Sequence, residues 1–326
     1  ALADFRRDLP GVDALRPGWT DSPRAMADLL ERVTALHLRR IRLSTYANLL
    51  HDADLADPKP LGMRGEVQDL SVDFASRLHT RRLGRSLVAR ARVGSTNDEA
   101  WTTAAAHAPD GTVVVADAQS AGRGRLGRIW HTAPGKSLAL SVLLRPEGAT
   151  RALGLLPLAA GLAVAEALDG LGARPALKWP NDVLLAGRKV AGVLCETRRG
   201  AAVVGVGVNL AQVAADFPAE IAERATSLAL VGIVASREAM AAAFLDAFEA
   251  RWEALAGGDA VGLLAAWSAR ADFWGRRVVV RTSGGETGGV ARGLDAEGAL
   301  RLELADGGEL AVRAGDLELG ETETGT

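Results

Sequence analysis

The chain has 326 residues, 48% hydrophobic and 24% charged. At about 100–200 residues per domain, that length predicts two or three domains, and the apolar content excludes disorder as the dominant state. A net charge of −2 offers no bulk electrostatic reason to bind nucleic acid or a membrane, and the single cysteine, Cys195, excludes an intramolecular disulfide framework or a multi-cysteine metal site.

One cysteine fits a reducing compartment. The opening ALADFRRDLPG has no apolar core of a leader peptide. The longest apolar run, Ala152 to Ala165, is broken by Pro157 and Gly161 and stopped by Glu166; it is short for a bilayer and reads as a buried helix. The expectation is a cytoplasmic protein.

Residues 1–65 form an N-terminal extension of uncertain status. Leu29 to Leu50 carries a helical apolar period, and DADLADPKPLGMRGE (52–66) reads as a linker. A native start at Met63 would make residues 1–62 an over-extended reading frame. The run 71–87 reads as a short helix and a turn. Then strands and helices alternate: LVARARV (87–93) as a strand, a helix opened by Ser95-Thr96-Asn97 and running to about His107, and TVVVADA (112–118) as a strand. The hydroxyl and amide side chains at that helix start are suited to capping its free N–H groups. QSAGRGRLGR (119–128) is a glycine- and arginine-rich loop, followed by a strand at 137–146 and an apolar helix at 150–169. Segments 176–179, 182–186, 189–197 and 201–210 are successive strands without helices between them, which predicts a mixed or antiparallel sheet. Residues 217–274 are Ala-rich and mostly helical, with Trp252, Trp267 and Trp274 as the expected core anchors. From Arg276 to Leu319 five short period-two strands predict a small closed barrel.

Four segments carry chemistry. GRGRLGRIW (122–130) joins glycines that permit close backbone approach to Arg123, Arg125 and Arg128, whose forks suit phosphate or carboxylate. It matches neither the Walker nor the dinucleotide pattern, and a solvated basic loop explains it equally well. In LKWPNDVLL (177–185), Lys178 ends a strand before a Pro-Asn-Asp turn. Taken alone, it is an ordinary turn. GRKVAGVLCE (187–196) and GVGVN (205–209) place glycines inside apolar strands, marking close packing or a ligand against the backbone. Cys195 reads as a core residue rather than a nucleophile. The five histidines show no metal spacing.

Together, GSTNDEA (94–100), QSAGRGRLGRIW (119–130), KWPNDV (178–183), RKVAGVLCE (188–196) and GVGVN (205–209), in that order, resemble the catalytic domain of biotin protein ligases, that is, biotin–[acetyl-CoA-carboxylase] ligases. The resemblance covers about residues 70–320 and implies an α+β fold. In it a catalytic domain (70–274) with a mixed sheet and flanking helices, like that of class II aminoacyl-tRNA synthetases, precedes a small Src-homology-3-like barrel (275–320). The implied reaction joins biotin and ATP, with Mg2+, into biotinyl-5′-adenylate. A lysine of a biotin carboxyl carrier protein then takes the biotin and releases AMP. Two anions must meet, so fixed cations in a dry pocket are the expected device.

By matching position, Lys178 would bridge the biotin carboxylate and the α-phosphate, and Lys189 would contact biotin or the adenylate. Arg123 and Arg125, with Gly124 between them, would clamp the phosphate and close the loop over the intermediate. Ser95, Thr96, Asn97 and Gln119 would bond the biotin ureido ring. Trp130 would pack near the ligand, Asn181 and Asn209 would sit at the nucleotide, and Asp182 would orient Lys178 or accept the carrier lysine's proton. No protein metal site is implied. One departure is Leu126, where several relatives carry another arginine. Another is the N-terminus, which shows no clear helix–turn–helix. Two alternatives stay open: a bifunctional ligase that is also a biotin-responsive repressor, and a lipoate or octanoate transferase. An exposed sheet edge could support a homodimer.

Overall fold

A computed structural model of the chain describes residue 74 and residues 76–146 and 152–319. The chain divides into Ala1–Met63 and Arg64–Thr326, and the description concerns the second unit. The expected helix at 29–50, the linker at 52–66 and the start at Met63 lie outside the described residues.

The larger sheet has seven strands: β1 (Leu87–Val93), β2 (Val113–Gln119), β3 (Ser137–Leu144), β4 (Ala176–Lys178), β5 (Asp182–Leu185), β6 (Arg188–Arg198) and β7 (Ala201–Asn209). Their order is β1-β2-β3-β7-β6-β5-β4. Only β1 and β2 run parallel, and the helix α1 (Thr96–Ala105) between them supplies the crossover that a parallel pair requires. The later strands are linked by tight reversals. Ala186 and Gly187, between β5 and β6, have φ of 48° and 73°, and Arg199 and Gly200, between β6 and β7, have 48° and 80°. Two consecutive left-handed residues form the turn whose twist matches that of the flanking strands.

β3 and β7 are buried along their whole length, because both faces of the sheet are covered. α1 packs on one face. On the other lie α2 (Leu156–Gly170) and α4 (Arg237–Ala256), with α5 (Ala260–Ser268) packed against both helices and the C-terminal sheet, while the four-residue α3 (Ala219–Ala222) lies in the segment after β7. Segment Ala152–Gly170 is long and apolar enough to cross a membrane, but 72% of its apolar window is buried inside the protein, so it is a core helix. Ser236 caps α4 by accepting from Ala239 N at 3.1 Å. Trp252 and Trp267 are buried and Trp274 is half-buried; Trp267 meets Phe273 and Trp274 edge-on at 6.4 and 6.3 Å.

The C-terminal strands are β8 (Arg277–Thr282), β9 (Gly285–Leu294), β10 (Leu300–Glu303), β11 (Glu309–Val312) and β12 (Asp316–Leu319). They form one antiparallel sheet in the order β11-β10-β9-β8-β12. Val278, Val280, Leu300, Leu302 and Leu317 join the same buried cluster as the larger sheet. The buried Trp179 donates its indole N–H to Gly298 O at 3.0 Å, tying the end of β4 to this second sheet.

Candidate active site

The arginine-rich loop is a compact hairpin. Trp130 N donates to Gly122 O at 2.9 Å, Gly124 N donates to Arg128 O at 2.7 Å, and Arg123 and Ile129 form a bridge across it. A side chain at position 122 would sit 2.3 Å from Trp130 O, so only glycine lets the strands of this hairpin approach. The tip turns through Leu126 and Gly127, with φ of 54° and 75°. The hairpin lays Trp130 flat on the sheet: a Cβ on Gly207 would lie 2.3 Å from the indole, and one on Gly192 3.3 Å. Gly192 and Gly207 are paired neighbours on β6 and β7. The glycines singled out in the sequence therefore form the floor of the groove between the hairpin and the sheet, and Trp130 fills it, resting directly on Gly192 and Gly207.

One end of the groove is polar. Thr96 N and Oγ1 donate to Gln119 Oε1 at 2.8 and 3.2 Å, and Gln119 Nε2 donates to Thr132 Oγ1 at 3.1 Å. Ser141 Oγ bridges Thr96 Oγ1 at 2.8 Å and Asn97 Oδ1 at 2.7 Å. Asn97 lies over Gly205, where a Cβ would come within 2.1 Å of its amide oxygen, and it donates to Glu196 Oε2 at 3.0 Å. Ser95 has the extended backbone of a helix cap, but its side chain makes no capping bond. The side chains of Thr96 and Asn97, expected as possible caps, turn instead to Gln119, Ser141 and Glu196, because the helix starts directly above the sheet.

Arg123 reaches this end. It donates to Glu196 Oε1 and Oε2 at 3.0 and 2.8 Å, and its Nη2 lies 2.8 Å from Asp98 Oδ1. Those bonds to Glu196 raise the Arg123 pKa against the opposing pull of burial. Burial would push the Glu196 carboxyl up, but hydrogen bonds from Arg123, Asn97 and Trp101 outweigh it and hold it below the usual range.

The other end gathers cations. Lys189 Nζ lies 5.6 Å from the Trp130 ring centre and 2.6 Å from Asp182 Oδ1. Arg125 donates to Asn181 Oδ1 at 3.2 Å and to Gly315 O at 3.3 Å; burial lowers its pKa despite the nearby charges of Asp182 and Asp316. Arg128 binds Asp316. Burial pushes the Asp316 carboxyl up, yet the Arg128 bond and the charges of Arg128, Lys178 and Lys189 outweigh it and hold it low. Lys178 stands opposite Asp182 in the β4–β5 register, and Asp182 holds Lys189, so both lysines belong to this end. Among the described residues Lys178 makes no ion pair of its own.

Two placements differ from the sequence reading. Asp182, expected to orient Lys178, holds Lys189 instead: it is the backbone partner of Lys178 across β4 and β5, but its carboxylate meets the lysine of β6. Asn209, expected at a nucleotide, is buried with its amide committed, donating to Thr226 O at 2.9 Å and accepting from Gln212 Nε2 at 2.8 Å. Cys195 sits as the sequence reading expected: it is half-buried against the core, and burial pushes its thiol up, the opposite of an activated nucleophile. The sequence reading missed Glu196, Asp98, Trp101, Ser141 and Asp316. Glu196 had a signal: it sits four residues after Gly192 on one strand, hence on the same face of the sheet.

A glycine-floored groove in a mixed sheet, roofed by an arginine hairpin and tied to a C-terminal antiparallel sheet, defines a protein of the biotin and lipoate ligase class. Residues 90–212 match the model of the "Biotin/lipoate A/B protein ligase family", and 273–320 match the "Biotin protein ligase C terminal domain". A biotin–[acetyl-CoA-carboxylase] ligase of Mycobacterium tuberculosis is 40% identical over 245 residues, covering 72% of this chain and 88% of that protein. A "Bifunctional ligase/repressor BirA" of Bacillus spizizenii is 34% identical over 263 residues, covering 78% and 80%. The Aquifex aeolicus biotin protein ligase in complex with biotin and ATP superposes with a TM-score of 0.65 at 30% identity, over 73% of this chain and 99% of that one. The chain belongs to the biotin protein ligase family.

Proposed function

We propose that this protein activates biotin with ATP to biotinyl-5′-adenylate and then transfers biotin to a lysine of a biotin carboxyl carrier protein. The observation that carries this reading is the gathering of Arg125, Arg128 and Lys189 at one end of the glycine floor, with Lys178 opposite Asp182, the carboxylate that holds Lys189. The biotin carboxylate and the α-phosphate repel as they approach, and preorganised cations in a shielded groove lower that barrier without reorganising. Lys178, which makes no ion pair among the described residues, is the group placed to bridge both anions. Arg125, Lys189 and Arg123 take further negative charge. Ser95, Thr96, Asn97 and Gln119 supply neutral donors and acceptors for the uncharged ureido ring, and Gly124 lets the hairpin backbone come close. Trp130, which rests on the glycine floor in this structure, would lift from it to cover the ligand and exclude water from the anhydride. Asn181 steadies Arg125 beside the nucleotide, and Asn209 shapes the segment around it.

Mg2+ would offset charge on the ATP phosphates. Asp182 and Asp316, the carboxylates of this cluster, are both held by cations, and the described residues contain no group of three His, Cys, Asp or Glu able to hold a metal. That donor set suits an ion carried largely by phosphate oxygens and water.

Biotin-dependent ATP–pyrophosphate exchange, followed by transfer of labelled biotin to a carrier domain, tests the reading. Lys178→Ala should lower the exchange rate by about 10²–10³-fold, the scale of losing one preorganised electrostatic contact. A near-normal rate in Lys178→Ala would refute its place at the reacting anions. Lipoate in a parallel assay should give no exchange.

A further inference from the structure

The arginine nearest the polar end of the groove is not free to meet an anion. Arg123 faces two carboxylates: Glu196 holds it through both terminal nitrogens at 3.0 and 2.8 Å, and Asp98 lies 2.8 Å from its Nη2. With both carboxylates drawing on the one guanidinium, Arg123 has little positive potential left to offer an incoming phosphate or carboxylate. The Arg123 Nε and the Trp130 Nε1 of the same hairpin are both buried without a hydrogen-bond partner, the mark of donors whose acceptor comes from elsewhere. Glu196 is equipped to lose Arg123. Asn97 Nδ2 and Trp101 Nε1 also donate to it, at 3.0 and 3.2 Å, and Arg198, stacked on Trp101, lies 3.8 Å away. Its charge stays compensated when the arginine leaves.

We propose that Glu196 is a positioning residue that, with Asp98, parks Arg123 against α1 until the anionic substrates draw it away, so that the hairpin's clamp is released by the charges it will hold. This rests on the ligase reading above, since it takes the phosphate and the carboxylate as the competing anions. The latch raises the substrate concentration needed to engage Arg123 and leaves the loaded state unaltered. Removing it should therefore change KM and spare kcat.

The test is biotin-dependent pyrophosphate exchange with full-length wild type, Glu196→Gln, Arg123→Gln and the double variant. Glu196→Gln should lower KM for ATP by roughly two- to fivefold, the range of a part-exposed ion pair, with kcat nearly unchanged. The double variant should behave as Arg123→Gln alone, because Glu196 acts through that arginine. Trypsin should also cut the ligand-free hairpin faster in Glu196→Gln, and saturating biotin and ATP should restore protection. A fall in kcat with KM unchanged, or a Glu196 effect that persists undiminished without Arg123, would overturn the latch. Should Glu196→Gln fail to fold, Asp98→Asn tests the same idea at an exposed carboxylate and should lower KM in the same direction. Absence of exchange in the wild type would refute the ligase reading; exchange with KM unchanged in the variants would refute only the latch.

Discussion

Gly207→Ala tests whether the groove floor is set by Trp130. The added Cβ would stand 2.3 Å from Cε2, 2.5 Å from Nε1 and 2.6 Å from Cζ2 of the indole. Carbon contacts settle near 3.5 Å, so the ring must retreat by roughly 1.2 Å. Gly207 cannot retreat instead, because β7 is paired with Ala139 on β3 and Gly192 on β6. Overpacking of this kind costs about 1–3 kcal/mol. Part of that is offset, by roughly 0.5–1 kcal/mol, because alanine loses less backbone freedom than glycine in a strand. A net loss of about 1–2 kcal/mol corresponds to a fall in Tm of roughly 2–6 °C for a chain of this size. Urea unfolding of Gly207→Ala in the wild-type and Trp130→Ala backgrounds measures it. The loss should largely disappear once the indole is gone, and biotin-dependent exchange should fall in Gly207→Ala because the seat of Trp130 is raised and the hairpin that carries it is displaced. An equal loss in both backgrounds would refute the assignment of Trp130 to this floor.

Two further outcomes follow from the packing. Glu249, buried on α4, accepts backbone N–H groups from Arg81, Arg82 and Leu83 at 2.5, 2.8 and 2.8 Å. Burial pushes its carboxyl up, but these bonds outweigh it and hold it below the usual range. A depressed carboxyl contributes stability that is present above the unfolded value of about 4.3 and lost as pH falls through the folded one. Glu249→Gln should therefore be less stable than wild type at pH 7, by about 1–3 kcal/mol, with the gap closing below about pH 4; urea titrations between those limits check it. Trp179→Phe removes the bond to Gly298 O at 3.0 Å and leaves a carbonyl unpaired at the junction of the two sheets. The expected loss is about 1–3 kcal/mol by calorimetry, and an unchanged Tm would show that the carbonyl finds another donor.

Much of this architecture was legible from local pattern. LVARARV is β1 to the residue, and the period-two runs after Arg276 are β8 to β12, because alternation and turn residues are properties of neighbours along the chain. β9 begins at Gly285, ahead of the alternating run GGVARGL (288–294), since a hairpin extends as far as its partner β8 can pair. The residue types of the site were equally readable: cations for anions, glycines for close approach, amides for a neutral ring.

Pairing across the fold was not legible. Arg123 and Glu196 are 73 positions apart, and Arg125 and Arg128 reach Gly315 and Asp316 in the other sheet. Asp182 neighbours Lys178 in backbone register yet holds Lys189, and the amide of Asn209 is spent inside the protein. The sequence by itself determined which charges and which gaps this protein carries. Only the tertiary structure decided which charge faces which, because an ion pair depends on distance in space, and that distance is set by strand order and register rather than by spacing along the chain.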